Sequence, residues 1–366
     1  MVDVMHEKCV GCKACGDICP VNAIVFKEDR YGFQAPIIDN EKCIRCKKCI
    51  NICPVDKIYE HEKYKKPQVY AAWLYDDEMR KQSTSGGVYY ALATYVLRLG
   101  GKVVACQYAE DWKSAEHVMI DNEADLTKTM GSKYFQSDTS GIYKKIKIEL
   151  EAGTRILFCG SPCQSAALKN YLGKEYDKLI TMDYICRGNN SPMVYRAFLE
   201  ELETRYKSKI KSVQFKNKRN GWKSLSVLIQ FENGEEYYDT KLTSYWTLGY
   251  IRHNLYMRPS CHECRFRTIP RKSDFTVGDF WGIKKVSEED EFKGVSVVFA
   301  NTKTANEILN DLQEMLHLES RSLEEVLGGN VCIYDSPKVG EYRESFFDLL
   351  ESEGFTEAIA KTCERL

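Results

Sequence analysis

The sequence predicts an α+β protein in two parts: a small cysteine-rich head, then a larger α/β body with an antiparallel insertion and a helical C-terminus. Three observations predict this. A C-x2-C-x2-C-x3-C-P run occurs twice before residue 55. From residue 68 onward, short apolar runs alternate with helical periodicity, and glycine, serine and cysteine fill the turns between them, as in an α/β sheet. From Ile210 the period drops to two over three short runs before helical spacing returns.

The head is read first. Cys9, Cys12, Cys15 and Cys19 precede Pro20, and Cys43, Cys46, Cys49 and Cys53 precede Pro54. This is the spacing of a ferredoxin-like domain with two 4Fe-4S clusters. Three thiolates of each run wrap one cluster while the fourth reaches the other. One cluster is therefore assigned Cys9, Cys12, Cys15 and Cys53, and the other Cys43, Cys46, Cys49 and Cys19. Structural zinc favours paired ligands and disulfides favour a secreted chain, and neither explains a duplicated triplet ending in Cys-Pro. Between the runs, Ala23 to Phe26 and Phe33 to Ile38 alternate around a turn at Asp29 to Gly32 and predict a hairpin. Such a small head relies on its metals for stability.

The charged stretch His61 to Lys66 before Pro67 marks the boundary, giving a head over 1–62, a linker over 63–66 and a body over 67–366, with an internal division placed near 150. The formal net charge is -1, so nothing favours nucleic acid or a membrane surface as partner. No signal-like N-terminus and no apolar run of ~20 residues is present, which predicts a cytoplasmic chain without a membrane span. Sixteen cysteines in a reducing compartment point to metal or redox chemistry. Acids and bases are balanced in the head, unlike an acidic free ferredoxin, which suggests a tethered head that passes electrons within its own chain.

In the body, Gln68 to Tyr75 reads as a strand and Val88 to Leu99 as a helix closed by Gly100-Gly101. The stretch opening that helix, Ser83-Thr84-Ser85-Gly86-Gly87, offers backbone N–H groups and hydroxyls to a phosphate or a planar cofactor; the alternative is an ordinary N-cap. Lys102 to Tyr108 is a strand, Gly131-Ser132-Lys133-Tyr134 follows a short helical stretch, and Thr139 to Leu150 is a helix. Arg155 to Phe158 is a strand leading into Cys159-Gly160-Ser161-Pro162-Cys163 and a helix over Gln164 to Leu172. Leu179 to Tyr184 is a strand ending at Cys186-Arg187-Gly188, with a helix after Ser191-Pro192. Ligands of α/β sheets bind at such strand ends.

The antiparallel patch is placed at Ser212 to Lys216, Ser224 to Phe231 and Glu236 to Thr240. The basic stretch Lys207 to Lys223 is expected to be a solvated face in preference to an anion site. Asp274 to Gly282 reads as a strand ending in an aromatic turn. Helices follow at Thr304 to Leu316, Ser322 to Leu327 and Glu341 to Leu366. Cys332 and Cys363 are read as packing residues. Cys163, Cys186, Cys261 and Cys264 come from three separate turns, as in a metal site built across a fold. Their spacing suits zinc as well as iron–sulfur, and Cys159 could stand in for Cys163. No GxGxxG and no GxxxxGK[ST] is present, so neither Rossmann binding nor a P-loop has local support.

STSGG at Ser83 to Gly87, GSKYFQS at Gly131 to Ser137, GSPCQ at Gly160 to Gln164, CRG with SP at Cys186 to Pro192, CHECRF at Cys261 to Phe266 and DFTVGDFWG at Asp274 to Gly282 occur in this order. Together they resemble the coenzyme F420 hydrogenase/dehydrogenase beta-subunit family, which is also similar to the 7-hydroxymethyl chlorophyll a reductases. The resemblance implies a flavin-binding body carrying FAD, with Ser83, Ser85, Gly86, Gly87 and Lys133 around it. It also implies a third 4Fe-4S cluster on Cys163, Cys186, Cys261 and Cys264. Lys133 is the candidate catalytic residue; the structural alternative pairs it with a surface acid. Relatives often read CHG where this chain has Arg187, a fixed positive charge in place of a titrating one.

The expected function is that of a flavin-dependent iron–sulfur oxidoreductase. It would move electrons between one-electron carriers and a two-electron substrate, F420 or a related compound, with ferredoxin as a candidate partner and an oligomer compatible with the pattern. The competing class is a non-enzymatic electron-transfer subunit that docks on a hydrogenase or another redox partner.

Overall fold

A computed structural model describes residues 8–56, 66–241 and 243–363. The linker expected at 63–66 lies outside them apart from Lys66.

In the head, two four-residue helices, α1 (Ala14–Asp17) and α2 (Lys48–Asn51), flank the hairpin β1 (Ile24–Glu28) and β2 (Gln34–Ile38), which pairs antiparallel with Ile24 opposite Ile38. The Asp29 carboxylate closes its turn by accepting from the Tyr31 and Phe33 N–H groups, both at 2.9 Å.

The body opens with β3 (Gln68–Leu74), α3 (Asp77–Gln82), α4 (Val88–Arg98), β4 (Lys102–Tyr108) and β5 (Ala115–Ile120). The polar helix α3 was not expected; Asp76 caps it by accepting from Met79 N. The chain continues through α5 (Leu126–Thr129), α6 (Ile142–Glu151), β6 (Ile156–Cys159), α7 (Pro162–Leu172), β7 (Leu179–Tyr184) and α8 (Pro192–Tyr206). A second sheet follows, β8 (Ile210–Asn217), β9 (Ser226–Phe231) and β10 (Glu236–Asp239), then the single turn α9 (Tyr245–Thr247). The remainder is β11 (Phe275–Asp279), α10 (Glu288–Lys293), β12 (Ser296–Ala300), α11 (Lys303–Asp311), β13 (Leu316–Arg321), α12 (Leu323–Gly329), α13 (Arg343–Glu353) and α14 (Phe355–Cys363). The C-terminal helical stretch is thus two helices, broken at Gly354.

The main sheet has eight strands in the order β13-β3-β12-β11-β7-β6-β4-β5. Its centre, β11-β7-β6-β4, is parallel, and antiparallel pairs extend it on both sides. Helices α4 and α11 cover one face, while α6 and α7 cover the other around Val104, Ile156 and Phe158. All five residues of β12 are buried, which explains its unbroken apolar sequence. The second sheet packs with α8, α13 and α14 around Phe198, Trp246 and Phe355.

The parallel centre sends four chain turns to one edge, the carboxyl ends of β4, β6, β7 and β11. There lie Tyr108, the Cys159-Gly160-Ser161 turn, the Cys186-Arg187-Gly188 turn and Asp279. Helix α6 begins at Ile142, three residues later than expected, because the head intervenes. The Thr139 hydroxyl donates to Cys12 O at 2.7 Å, and the Asp17 carboxylate accepts from Gly141 N and Tyr143 N at the helix start.

The basic stretch Lys207 to Lys223 is not uniformly solvated: Lys216 and Lys218 are buried. The register of β8 on β9 shifts between Phe215 and Asn217, and Lys216 sits in that irregularity at φ 59°. A bulge turns a side chain that alternation would send outward toward the interior, where Lys216 pairs with Asp279.

Candidate functional site

The first cavity lies in the head. Cys9, Cys12, Cys15, Cys49 and Cys53 line it, among Val10, Ile24 and Phe26. Cys49 also lies within electrostatic reach of Cys19 and Cys46, so it stands between the two thiol groups. Burial pushes the Cys15 thiol up to about 12, and the neighbouring Cys9 and Cys53 push the same way. A bare thiolate is disfavoured there unless a cation or cluster compensates its charge.

The second cavity lies at the carboxyl edge of the sheet. Cys163, Cys186, Cys261 and Cys264 line it together with Cys332, Arg267 and Arg271. Cys163 enters from the first turn of α7, whose N-cap Ser161 forms a capping box with Gln164. The Ser161 hydroxyl is 3.1 Å from Cys163 Sγ. Burial pushes the Cys163 thiol up to about 12. Cys186 follows β7, and Cys261 and Cys264 sit on a one-turn 3-10 segment and just after it. Among the described residues, no three His, Cys, Asp or Glu side chains converge on a single ion position. The thiols surround a hollow instead, a donor set that fits a cluster better than one zinc ion. Cys159 does not line this cavity, whereas Cys332, expected only to pack, does. Cys363 packs among the C-terminal helices.

The two cavities share a wall. Val10 lines both, and Cys163 is close enough to Cys12 to add to the upward push that burial gives the Cys12 thiol. Arg258 holds this junction. Its guanidinium donates to Gln136 Oε1 (2.7 Å), Cys9 O (2.9 Å) and Gln34 O (3.0 Å), and it lies 4.7 Å from the centre of the Phe33 ring. Lys13 adds an ion pair to Asp138 of the body at 2.7 Å.

Arginines supply the positive charge of the second cavity. Arg267 donates to Cys332 O and Arg187 O; burial opposes its charge, but the Cys186 and Cys264 thiols outweigh it and raise its pKa. Beneath it, Arg271 donates to the buried Asp183 at 3.2 Å, and Asp183 also accepts from the Thr276 hydroxyl at 2.6 Å. Arg187 turns away to Ile251 O and Asn254 Oδ1, over the Tyr250 ring.

The glycine-rich stretch before α4 sits at the same sheet edge. Ser83 donates to Met79 O, and Ser85 donates to Val295 O at 2.8 Å. Gly86 N–H donates to Ser296 Oγ, and Gly86 O accepts from Leu74 N. A Cβ at Gly86 would stand 2.1 Å from Ala72 O, so glycine is required by contact with β3. Gly87 is the N-cap of α4 and no side chain caps that helix. What the stretch leaves for an anion is the backbone at the α4 start, with the Thr84 and Ser132 hydroxyls bonded to each other at 3.0 Å.

Among the described residues, Lys133 is not paired with an acid. Its ammonium donates to Thr129 O, Met130 O and Gly131 O and lies over the Tyr108 ring. Burial lowers its pKa to about 8. Lys218 donates to Arg80 O and to Ser85 O, within the same glycine-rich stretch. Burial, Arg80 and Lys216 together bring it down to about 7.

With this geometry in place, the chain was compared with known proteins. Residues 8–57 match the 4Fe-4S dicluster domain. Residues 69–144 match the coenzyme F420 hydrogenase/dehydrogenase beta subunit N-term, and residues 153–326 match the C terminus of that same subunit, so the two together span about two thirds of the chain. The chain belongs to the coenzyme F420 hydrogenase/dehydrogenase beta-subunit family. Its head is a 4Fe-4S domain, and with it this member of the beta-subunit family is an iron–sulfur redox protein suited to electron transfer. A solved structure, the F420-reducing [NiFe] hydrogenase complex from Methanosarcina barkeri in xenon-derivatised form, is similar at 19% identity and a TM-score of 0.49, over 84% of this chain and 94% of that one. No curated protein matches the chain. Among the described residues, no helix is long and apolar enough to cross a membrane.

Several residues of this family member escaped the sequence reading: Arg258, Arg267, Arg271, Asp183 and Cys332. One signal was available, since four arginines, Arg258, Arg265, Arg267 and Arg271, flank or follow the CHEC turn within fourteen positions. Only the fold shows which of them meet thiols and which meet the head.

Proposed function

We propose that this chain is an iron–sulfur flavoprotein oxidoreductase with three cluster sites and FAD. One-electron carriers would exchange with the head, and a two-electron substrate such as F420 would react at the sheet edge. The observation that carries this reading is the common wall at Val10: the head cavity and the body cavity are adjacent, and the body cavity opens onto the carboxyl edge of the parallel strands. Cys9, Cys12, Cys15 and Cys53 would hold one cluster, Cys43, Cys46, Cys49 and Cys19 the second, and Cys163, Cys186, Cys261 and Cys264 the third. Bound there, the clusters would supply single-electron exchange and FAD its conversion to two-electron chemistry.

The chain's own residues have definable parts in this. Arg267 places a fixed cation among the body thiols and offsets the negative charge of deprotonated sulfur. Val10, Ile24 and Phe26 keep water from the thiols of the head cavity. The uncapped start of α4 would receive an anionic group of the cofactor at its positive end, with the Thr84 and Ser132 hydroxyls nearby. Lys133 and Tyr108 border that region, and Lys133 is the residue proposed to meet flavin or substrate.

One observation favours the second reading, a non-enzymatic electron-transfer subunit. The polar groups of Ser85, Gly86 and Lys133 are all engaged inside the protein. Iron and flavin analysis of anaerobically purified protein separates the two readings. About twelve iron atoms with bound FAD support the oxidoreductase, and about eight without flavin support the carrier. Cys264→Ser should remove about four iron atoms and spare the head; unchanged iron would reject the third site.

A further inference from the structure

The head is an internal repeat whose halves share a backbone but not a setting. Aligning the two cysteine runs places Val10 with Ile44, Gly11 with Arg45, Cys12 with Cys46, Lys13 with Lys47 and Ala14 with Lys48. The backbones agree: Gly11 and Arg45 have φ of 67° and 56°, and Lys13 and Lys47 have φ of 58° and 61°. A short helix follows each, α1 and α2.

The first half is covered by the body. Cys12, Lys13 and Ala14 are buried, Lys13 pairs with Asp138, and a Cβ on Gly11 would stand 2.5 Å from Gln136 and 2.6 Å from Arg258. Among the described residues, nothing covers the second half. Ile44 is 61% exposed, and Arg45, Cys46, Lys47 and Lys48 are all exposed. Lys42 pairs with Asp39 at 2.9 Å, while among the described residues Arg45, Lys47 and Lys48 have no ion-pair partner. An apolar centre with a cationic rim surrounds an exposed thiol.

We propose that this face, Ile44 rimmed by Lys42, Arg45, Lys47 and Lys48, is a docking surface for an acidic protein that carries a one-electron centre. The proposal rests on the reading of the head as an iron–sulfur relay. The covered half shows what such a face does in this chain: it sets its thiols against a second redox site and pairs its lysine with an acid. The open half presents the same backbone with more positive charge, and small residues replaced by long cations where no body closes over them. Charge of one sign around an apolar centre steers a complementary partner and sets its orientation. The patch is compact, four cations within seven positions, and centred on a cysteine, which fits a globular carrier better than a polyanion lying along a stripe.

The test uses the full chain and an acidic [2Fe-2S] ferredoxin of plant type as probe, with binding measured by calorimetry at ~20 mM and ~300 mM salt. Basic cytochrome c and anionic phospholipid vesicles serve as comparison ligands. The variant is Arg45→Asp with Lys47→Asp and Lys48→Glu, because aspartate tolerates the left-handed backbone at the first two positions. The wild type should bind ferredoxin, at least about tenfold more weakly at the higher salt, and the variant, with iron content unchanged, should lose at least about tenfold at the lower salt. Equal ferredoxin affinity in the iron-replete variant would overturn the proposal, as would tighter wild-type binding of cytochrome c or the vesicles. A wild-type chain without iron that still bound ferredoxin in this charge-dependent way would reject the relay and leave the docking face standing.

Discussion

Replacing Arg258 by alanine should loosen the head from the body without unfolding either. Arg258 is 3% exposed, and two of its guanidinium hydrogen bonds cross the junction, to Cys9 O and Gln34 O. A third holds Gln136 Oε1 of the body, whose amide nitrogen in turn donates to Val10 O and Gly11 O of the head. Cys9 O keeps a second donor in the Ser260 hydroxyl at 2.9 Å, so Gln34 O and Gln136 Oε1 are the acceptors most affected. Hydrogen bonds from a charged donor are worth about 1.5–3 kcal/mol each, and water entering the gap restores part, leaving roughly 2–4 kcal/mol lost from docking. That is a rise of about thirtyfold to several hundredfold in head opening, at 1.4 kcal/mol per factor of ten. Hydrogen–deuterium exchange should show faster exchange in peptides covering α1 and the β1–β2 hairpin, with β6 and β7 unchanged. Arg258→Lys, which keeps the charge without the fork, should fall between. Head protection within about threefold of wild type in the alanine variant would refute Arg258 as the holder of the junction.

Three further outcomes follow from the same geometry. Gly86→Ala forces a Cβ to 2.1 Å from Ala72 O and 2.9 Å from Ser296 N, both backbone atoms of the central sheet, so its urea midpoint should fall by the equivalent of about 3 kcal/mol; a midpoint near wild type would show that β3 and β12 can separate. Burial holds His117 down at about 4, so its unfolded form binds more protons below pH ~6.5; the stability present above that pH is lost progressively as pH falls to about 4, roughly 3 kcal/mol in all, and His117→Gln should flatten that acid slope. An unaltered slope would place the acid sensitivity elsewhere. Under the proposed third cluster, Ser161→Ala removes the hydroxyl 3.1 Å from Cys163 Sγ and should lower that centre's midpoint potential by roughly 40 mV, the one-electron equivalent of ~1 kcal/mol; an unshifted titration would remove Ser161 from its tuning.

What the sequence by itself determined is local. The cysteine runs declare their chemistry through spacing, because a cluster needs thiols at fixed intervals whatever surrounds them. The buried strands β3, β4, β6 and β7 and the long helix α4 were legible because a continuous apolar run or a helical period repeats within a few residues. The edge strands β5 and β13 were not, since Ala115–Ile120 and Leu316–Arg321 mix polar and apolar residues and become strands only by pairing with β4 and β3. Lys216 and Lys218 read as surface charge until a bulge in β8 turned Lys216 toward Asp279. Arg258, Arg267 and Cys332 carry no local mark, and contacts from distant segments give them their places. The two halves of the head illustrate the division most clearly. Their spacing and backbone are alike, so local sequence cannot say which half meets the body. Burial decides it: glycine and alanine at positions 11 and 14 admit close approach, while arginine and lysine at 45 and 48 remain in water.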